Sequence, residues 1–177
     1  RPLHEVHEAL VEVDGRVVGR RRGERHRLAV FRYLRTRTAN EDDAADLTAV
    51  AFEKALIAMP RYRPAGGGFL AWVLRIARNA AIDAGRRATT VPLAEDLADV
   101  RVARTPEAAL LATEARAALV AAVSRLPEIQ REAIALRYAA RLTAKEIAAV
   151  IGKREAATQK LLTRALATIR EMYRDER

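Results

Sequence analysis

Two blocks of helix-periodic sequence, separated by a stretch without an apolar stripe, limit the architectures that this chain can adopt. One block runs from His4 to about Arg87 and the other from about Pro106 to the end, with few β-branched runs in either. A chain of 177 residues, half of them apolar, can bury one moderate core or two small ones. We therefore expect an all-α protein of two small helical domains, at residues 1–88 and 106–177.

The segment between the blocks, residues 89–105, is predicted to be an extended linker. It contains Pro92 and the acids Glu95, Asp96 and Asp99, whereas the flanking segments are rich in arginine. A short helix over residues 93–100 is the alternative. A connector of this composition permits both a compact and an extended arrangement of the two domains.

Residues 143–170 are typical of a helix-turn-helix. Thr143 and Glu146 have the spacing of a capping box, and Gly152 offers the left-handed turn that ends a first helix. A second helix is expected from about Arg154. Its apolar positions form one stripe, and basic residues lie on its other faces; the stripe is Leu162, Ala165, Leu166, Ile169 and Tyr173. An ordinary surface hairpin fits this spacing as well as a DNA-binding element does.

The charge of the chain favours the DNA-binding interpretation. The formal net charge is +9 and most of the positive charge is arginine, which makes forked contacts to phosphates and guanine edges. An anionic membrane surface is the alternative partner for a protein of this charge. However, no unbroken apolar segment reaches the roughly 20 residues that span a bilayer, and no signal peptide is visible. We expect a nucleic-acid partner and no membrane insertion.

No cofactor, metal or catalytic site is expected. The chain has no cysteine, which excludes disulfides and thiolate metal sites and suits the cytoplasm, and its three scattered histidines do not form a metal site. The loop at Gly66–Gly68 lacks the preceding strand and the lysine of a phosphate-binding loop. No nucleophile paired with a base stands out.

Three further patterns lie in the first block. A helix is expected from Asn40, as its cap, to Pro60, with Leu47, Val50 or Ala51, Ala55, and Ile57 or Ala58 facing inward. The glycine loop is either a flexible connector or a place where backbone closely approaches a ligand. The helix after it divides into an apolar face and a basic face; the apolar face is Phe69, Trp72, Val73, Ile76 and Ala80, and the other is Arg75, Arg78, Asn79 and Arg86. We interpret Phe69 and Trp72 as core residues.

The order of these elements is similar to that of the extracytoplasmic-function sigma factors, two-domain initiation factors of bacterial RNA polymerase. The segments that carry the resemblance are DAADLTAVAFEKAL, FLAWVLRIARNAAID and LPEIQREAIALRYAARLTAKEIAAVIG. The resemblance implies that the first domain docks on core polymerase and captures the melted minus-ten element. It also implies that the second domain binds the duplex minus-thirty-five element, and that an anti-sigma protein inhibits the chain.

The resemblance implies three sets of site residues. A minus-ten set would hold the melted strand: Arg63, Gly66, Gly67, Gly68, Arg75, Arg78, Asn79 and Arg86. A minus-thirty-five set would enter the major groove: Lys153, Arg154, Glu155, Lys160 and Arg164. A docking set would face polymerase: Asp46, Leu47, Ala49, Val50 and Phe52. The chain departs from the family pattern at Ala49 and Val50, in place of a glutamine and a glutamate, and at Arg154, in place of a serine cap.

Two other classes of protein remain open at this point. A conventional helix-turn-helix regulator would use the same motif on duplex DNA, but it leaves the first block and its basic helix unexplained. A sigma mimic would bind a regulatory protein and no DNA, which the strongly basic charge argues against.

Overall fold

The computed structural model describes residues 20–63, 66–85 and 106–175, and these contain helices and turns but no β-strand. Seven α-helices follow one another, and a short 3-10 helix, Met59–Arg61, follows the second. The helices are α1 Arg20–Arg35, α2 Glu41–Ala58, α3 Gly68–Gly85, α4 Pro106–Ser124, α5 Glu128–Tyr138, α6 Ala144–Ile151 and α7 Glu155–Asp175. This confirms the predicted all-α class. The linker at 89–105 lies outside the described residues, and the domain boundaries stay predictions.

Helix α2 begins and ends where the sequence predicts. The side chain of Asn40 accepts a hydrogen bond from the Asp43 backbone N–H at 2.7 Å, and acids occupy the first turn, where the helix dipole favours them. Pro60 then lies in the 3-10 turn that ends the helix. The structure decides between the alternatives for the inward face: Ala51 and Ala55 are buried and Ala58 is half-buried, whereas Val50 and Ile57 are exposed.

The first domain packs α1, α2 and α3 around one core. Small residues form much of the buried face of α2, with one large side chain, Phe52, among them; this face is Ala44, Thr48, Ala51, Phe52 and Ala55. On α3, Val73 and Ala80 are buried as predicted, whereas Leu74 and Ala77 are buried without having been predicted. Phe69 and Trp72 pack half-buried against this core.

The second domain contains α4 to α7 and the predicted helix-turn-helix. Thr143 and Glu146 form the reciprocal capping box of α6, and Gly152 ends that helix at φ 69° and ψ 35°. Helix α7 buries Ala165 and Ile169 of the predicted stripe against a small core with α4 and α5. Tyr173, at the end of the stripe, is 39% exposed, so the stripe ends before it.

The two domains share the larger core. Seven buried residues of the second domain belong to the same hydrophobic cluster as the core of α1, α2 and α3: Ala133, Ala135, Leu136, Ala140, Leu142, Ile147 and Val150. Helix α6, the first helix of the helix-turn-helix, packs against α3. Of the two arrangements that the linker composition permits, the structure has the compact one.

Candidate nucleic-acid interfaces

The outer face of α3 brings two residues of the minus-ten set together. Arg75 and Asn79 are exposed and lie one helical turn apart, so both can contact the same ligand. Arg78 differs from them: its side chain is only 25% exposed and lies against α5. Arg86 lies outside the described residues. The predicted basic face is therefore divided between solvent and the other domain.

The glycine loop approaches the second domain. A Cβ atom on Gly67 would lie 2.7 Å from the Cβ of Ala149 on α6, which is closer than real side chains approach, and 2.7 Å from the Cβ of Ala71. Gly68 has φ +70°, in the left-handed region that favours glycine. The backbone of the loop therefore approaches a helix of the same chain closely, and its approach to a ligand stays a prediction.

Aromatic rings lie at both ends of the glycine loop. Tyr62, before the loop, lies 4.7 Å from the ring of Trp72 and makes an edge contact with Phe69 at 5.8 Å, between ring centroids. His26 of α1 stacks at an angle on Phe69 from the other side. Such offset and edge contacts stabilise the cluster beyond the area it buries. Neither Tyr62 nor His26 was predicted, although the aromatic residues Tyr62 and Phe69 on the two sides of the glycines were a signal for the first of them. Arg63 is exposed, and its guanidinium donates to the Tyr62 carbonyl at 3.0 Å.

The minus-thirty-five set lies on an open surface. All five residues are exposed, at the turn before α7 and along its first half: Lys153, Arg154, Glu155, Lys160 and Arg164. Thr158 is buried beneath them and donates its hydroxyl to the Arg154 carbonyl at 3.2 Å, which fixes the first turn of the helix. At the start of α7, the inner side is thus held by the hydrogen bond of Thr158, and the outer side is basic.

The docking set divides between surface and core. Asp46 and Val50 are exposed, Leu47 and Ala49 are half-buried, and Phe52 is only 1% exposed. Phe52 shares the buried face of α2 with Ala51 and Ala55 because helical phase places it there, so it cannot contact a partner in this conformation. Beside the set, α1 and α2 line a groove of about 260 Å³ with Arg27, Leu28, Phe31, Ala45 and Thr48. The α1 residues were not predicted.

A buried carboxylate joins the two domains. Glu132 of α5 is 2% exposed, and its Oε1 accepts a hydrogen bond from the Tyr33 hydroxyl at 2.7 Å. Arg37 forms an ion pair with the other carboxylate oxygen, and Arg78 Nε lies 3.6 Å from Oε1. We call these four residues the Glu132 cluster. The cluster was not predicted, because a single acid inside REAIALRY resembles a surface residue.

Local structure positions the cluster. Thr36 and Thr38 donate their hydroxyls to the carbonyls of Tyr33 and Leu34, at 2.7 and 3.2 Å, and so end α1 with Arg37 between them. The Arg37 guanidinium lies 5.7 Å from the centre of the Tyr33 ring. Burial raises the pKa of Tyr33, and the positive charges of Arg37 and Arg78 oppose part of this rise.

The described residues offer neither a membrane span nor a metal centre. None of their helices is long and apolar enough to cross a bilayer. They also contain no group of three or more histidine, aspartate or glutamate side chains placed to share an ion.

Comparison with known proteins assigns both domains. The family model for sigma-70 region 2 matches residues 24–90, and that for sigma-70 region 4 matches residues 116–169. The sigma factor BldN of Streptomyces coelicolor is 35% identical over 83% of this chain, but the match covers only 57% of BldN, so this chain spans little more than half of that relative. ShbA of Streptomyces griseus is 33% identical over 74% of this chain and 70% of its own length.

A solved structure supports the fold assignment. CnrH, whose structure was determined in complex with the cytosolic domain of CnrY, has a TM-score of 0.63 at 21% identity, over 99% of both chains. BldN and ShbA are both ECF RNA polymerase sigma factors. The chain belongs to this family, the extracytoplasmic-function sigma factors.

Proposed function

We propose that this chain binds core RNA polymerase and directs it to promoters through two DNA contacts, one in each domain. The observation that carries the proposal is that each of the two matched sigma regions has its own exposed basic surface, on α3 in region 2 and on α7 in region 4. A tether between two weak sites raises the effective concentration of the second contact. Promoter spacing then becomes part of the specificity.

The first domain captures the melted minus-ten strand. Arg75 and Asn79 contact its backbone and base edges, and the glycine loop takes a base turned out of the stack. Unstacking a base costs a few kcal/mol, which contacts to a basic surface offset while polymerase holds the bubble open. No bond in the DNA is made or broken by this chain, so it is not an enzyme.

The second domain binds the minus-thirty-five element as duplex. The exposed side chains at the start of α7 are long enough to reach phosphates and base edges in the major groove, where arginine pairs with guanine. Phosphate contacts position the helix, and base contacts give the sequence preference.

The proposal implies three kinds of partner, all in the cytoplasm: core polymerase, promoter DNA in its double-stranded and melted forms, and an anti-sigma protein. Asp46, Leu47, Ala49 and Val50 form the polymerase-facing surface of α2, next to the groove between α1 and α2. Membership in a family of RNA polymerase sigma factors supports this assignment.

Run-off transcription with purified core polymerase on pooled genomic fragments, with and without the chain, tests the proposal. Start sites that need the chain and share two spaced upstream elements are the expected result. Polymerase binding without transcripts would favour a sigma mimic. Binding to duplex DNA alone, as a dimer on symmetric half-sites, would favour a conventional regulator.

A further inference from the structure

Arg141, in the turn between α5 and α6, has a backbone conformation that favours glycine. Its φ is 58°, and within the described ranges no other residue with a side chain has a positive φ. This left-handed conformation is unfavourable for any residue with a Cβ atom. Residues held in such conformations are concentrated at functional sites. The fold alone favours glycine at this position, so the arginine side chain needs another explanation.

The surrounding turn imposes this conformation. The backbone N–H of Leu142 donates to the Leu136 carbonyl at 3.1 Å, and the Leu142 side chain is buried. The Arg137 guanidinium donates to the Leu142 carbonyl at 2.8 Å, and Thr143 then caps α6. The backbone of Arg141 is thus held on both sides, whereas its side chain is exposed.

Arg141 belongs to a basic surface. Arg137 and Lys145 are also exposed and lie four residues before and after it; we call these three residues the turn patch. The nearest acid in the sequence is Glu146. Its carboxylate already accepts hydrogen bonds from the N–H and the hydroxyl of Thr143, at 2.8 and 2.7 Å. Guanidinium and ammonium groups gathered in this way suit a phosphate ligand.

The turn patch lies at the start of the helix-turn-helix. In DNA-bound motifs of this kind, the second helix enters the major groove and the first crosses the phosphate backbone. Here α6 is the first helix, and α7, with the minus-thirty-five set at its start, is the second. A duplex that receives α7 therefore brings its backbone past α6 and the turn before it.

We propose that Arg141 binds a phosphate beside the minus-thirty-five major groove and so positions α7 in that groove. The chain keeps an unfavourable backbone conformation at this residue because the guanidinium gains this contact. The inference rests on the proposed minus-thirty-five role of α7 and adds to it a residue outside the minus-thirty-five set. The occupant is duplex DNA, because the turn patch carries three positive charges and belongs to the same motif as the basic surface of α7.

Arg141→Gly in the whole chain tests the proposal, because strain and DNA contact have opposite effects. Glycine relieves the left-handed strain, so the melting temperature should rise by a few degrees. The substitution also removes one phosphate contact. Affinity for a duplex with the minus-thirty-five sequence identified by run-off transcription should fall about threefold to tenfold, and the slope of log affinity against log salt should fall by about one.

Two further measurements identify the contact as one to a phosphate. A scrambled duplex should lose affinity by the same factor, since a phosphate contact reads no base. Arg141→Lys keeps the positive charge and should keep most of the affinity, although it keeps the strain as well.

Arg125→Gly is the matched control. It makes the same substitution at an exposed arginine whose φ is not positive, at the other end of α5. That helix has 11 residues, so the two sites are about 15 Å apart or more. The control should leave the salt slope unchanged and should not raise the melting temperature. Lys160→Ala, from the minus-thirty-five set, reports whether α7 itself binds the duplex, and co-elution with core polymerase reports protein binding.

Four results would overturn the proposal. If Arg141→Gly changes neither affinity nor salt slope while Lys160→Ala lowers both, Arg141 makes no DNA contact and the role of α7 stands. If melting temperature and affinity fall together, the arginine supports the fold. If duplex binding is unchanged but polymerase binding weakens, the turn patch faces a protein. If neither substitution weakens duplex binding, the proposed minus-thirty-five function has failed as well.

Discussion

The Tyr33 hydroxyl donates a 2.7 Å hydrogen bond to Oε1 of Glu132, a residue 99 positions later in the chain. Both side chains are almost fully buried. The bond therefore links α1 of the first domain to α5 of the second at a buried position.

Tyr33→Phe should destabilise the compact fold. The substitution keeps the ring but removes a donor to a buried carboxylate, and hydrogen bonds to charged groups contribute about 1.5–3 kcal/mol. Urea unfolding would measure the loss. Tyr138→Phe, at a tyrosine that is 49% exposed, is the control and should change stability by less than about 0.5 kcal/mol. Equal effects of the two substitutions would contradict the structural importance of the bond.

Alkaline pH should destabilise the protein through Tyr33. The pKa of this buried hydroxyl is raised above its ordinary value of 10.0, so above that pH the unfolded chain loses a proton that the folded chain keeps. The unfolded state then binds fewer protons, and the free energy of unfolding falls as pH rises. Melting temperatures between about pH 9 and pH 11 should fall more steeply for the wild type than for Tyr33→Phe. Parallel curves would argue against this assignment.

Arg75→Ala combined with Asn79→Ala should abolish open-complex formation and leave polymerase binding intact. Both residues are exposed, so their loss removes strand contacts without disturbing the core. Permanganate reactivity of unpaired thymines measures opening, and co-elution with core polymerase measures binding. Lys54→Ala, an exposed position of α2 outside the docking set, controls for lost positive charge. Loss of polymerase binding in the double variant would show that this face has a different role.

DNA binding by the isolated chain should be weak and should fall steeply with salt, because arginine and lysine release counterions from the phosphates. Lys160→Ala should lower the slope of log affinity against log salt by about one. Arg170→Ala, exposed farther along α7 and outside the minus-thirty-five set, should leave the slope unchanged. Binding that does not depend on salt would refute the electrostatic basis of the interaction.

Gly152→Ala should destabilise the second domain by about 1–2 kcal/mol, because Gly152 has a left-handed backbone that is unfavourable for residues with a Cβ atom. Gly85→Ala is the matched control. It lies at the end of α3, with nothing within 4 Å of an added Cβ and no positive φ, so alanine should be neutral or stabilising there. Differential scanning calorimetry would compare the two. A similar loss at both positions would mean that backbone conformation is not the cause.

Local chemistry was predictable, and contacts between distant segments were not. The capping box at Thr143 and the turn at Gly152 depend on neighbours within a few residues, so the sequence was sufficient for both. The sequence left Ile57 and Ala58 as alternatives for the inward face of α2, because this helix is rich in alanine and small residues give little contrast between its faces. The partners of Glu132 come from another domain, and no periodicity within α5 indicates them.

The contact between Gly67 and Ala149 involves two residues that have no side-chain torsion to restrict. Bringing the loop against α6 at this point therefore costs no rotamer entropy, and separating them recovers none. We therefore expect backbone motion and the displacement of water to set the rate at which this part of the interface forms and breaks. No slow search among side-chain conformers is needed. A contact built in this way can form and break without waiting for side chains to reorder.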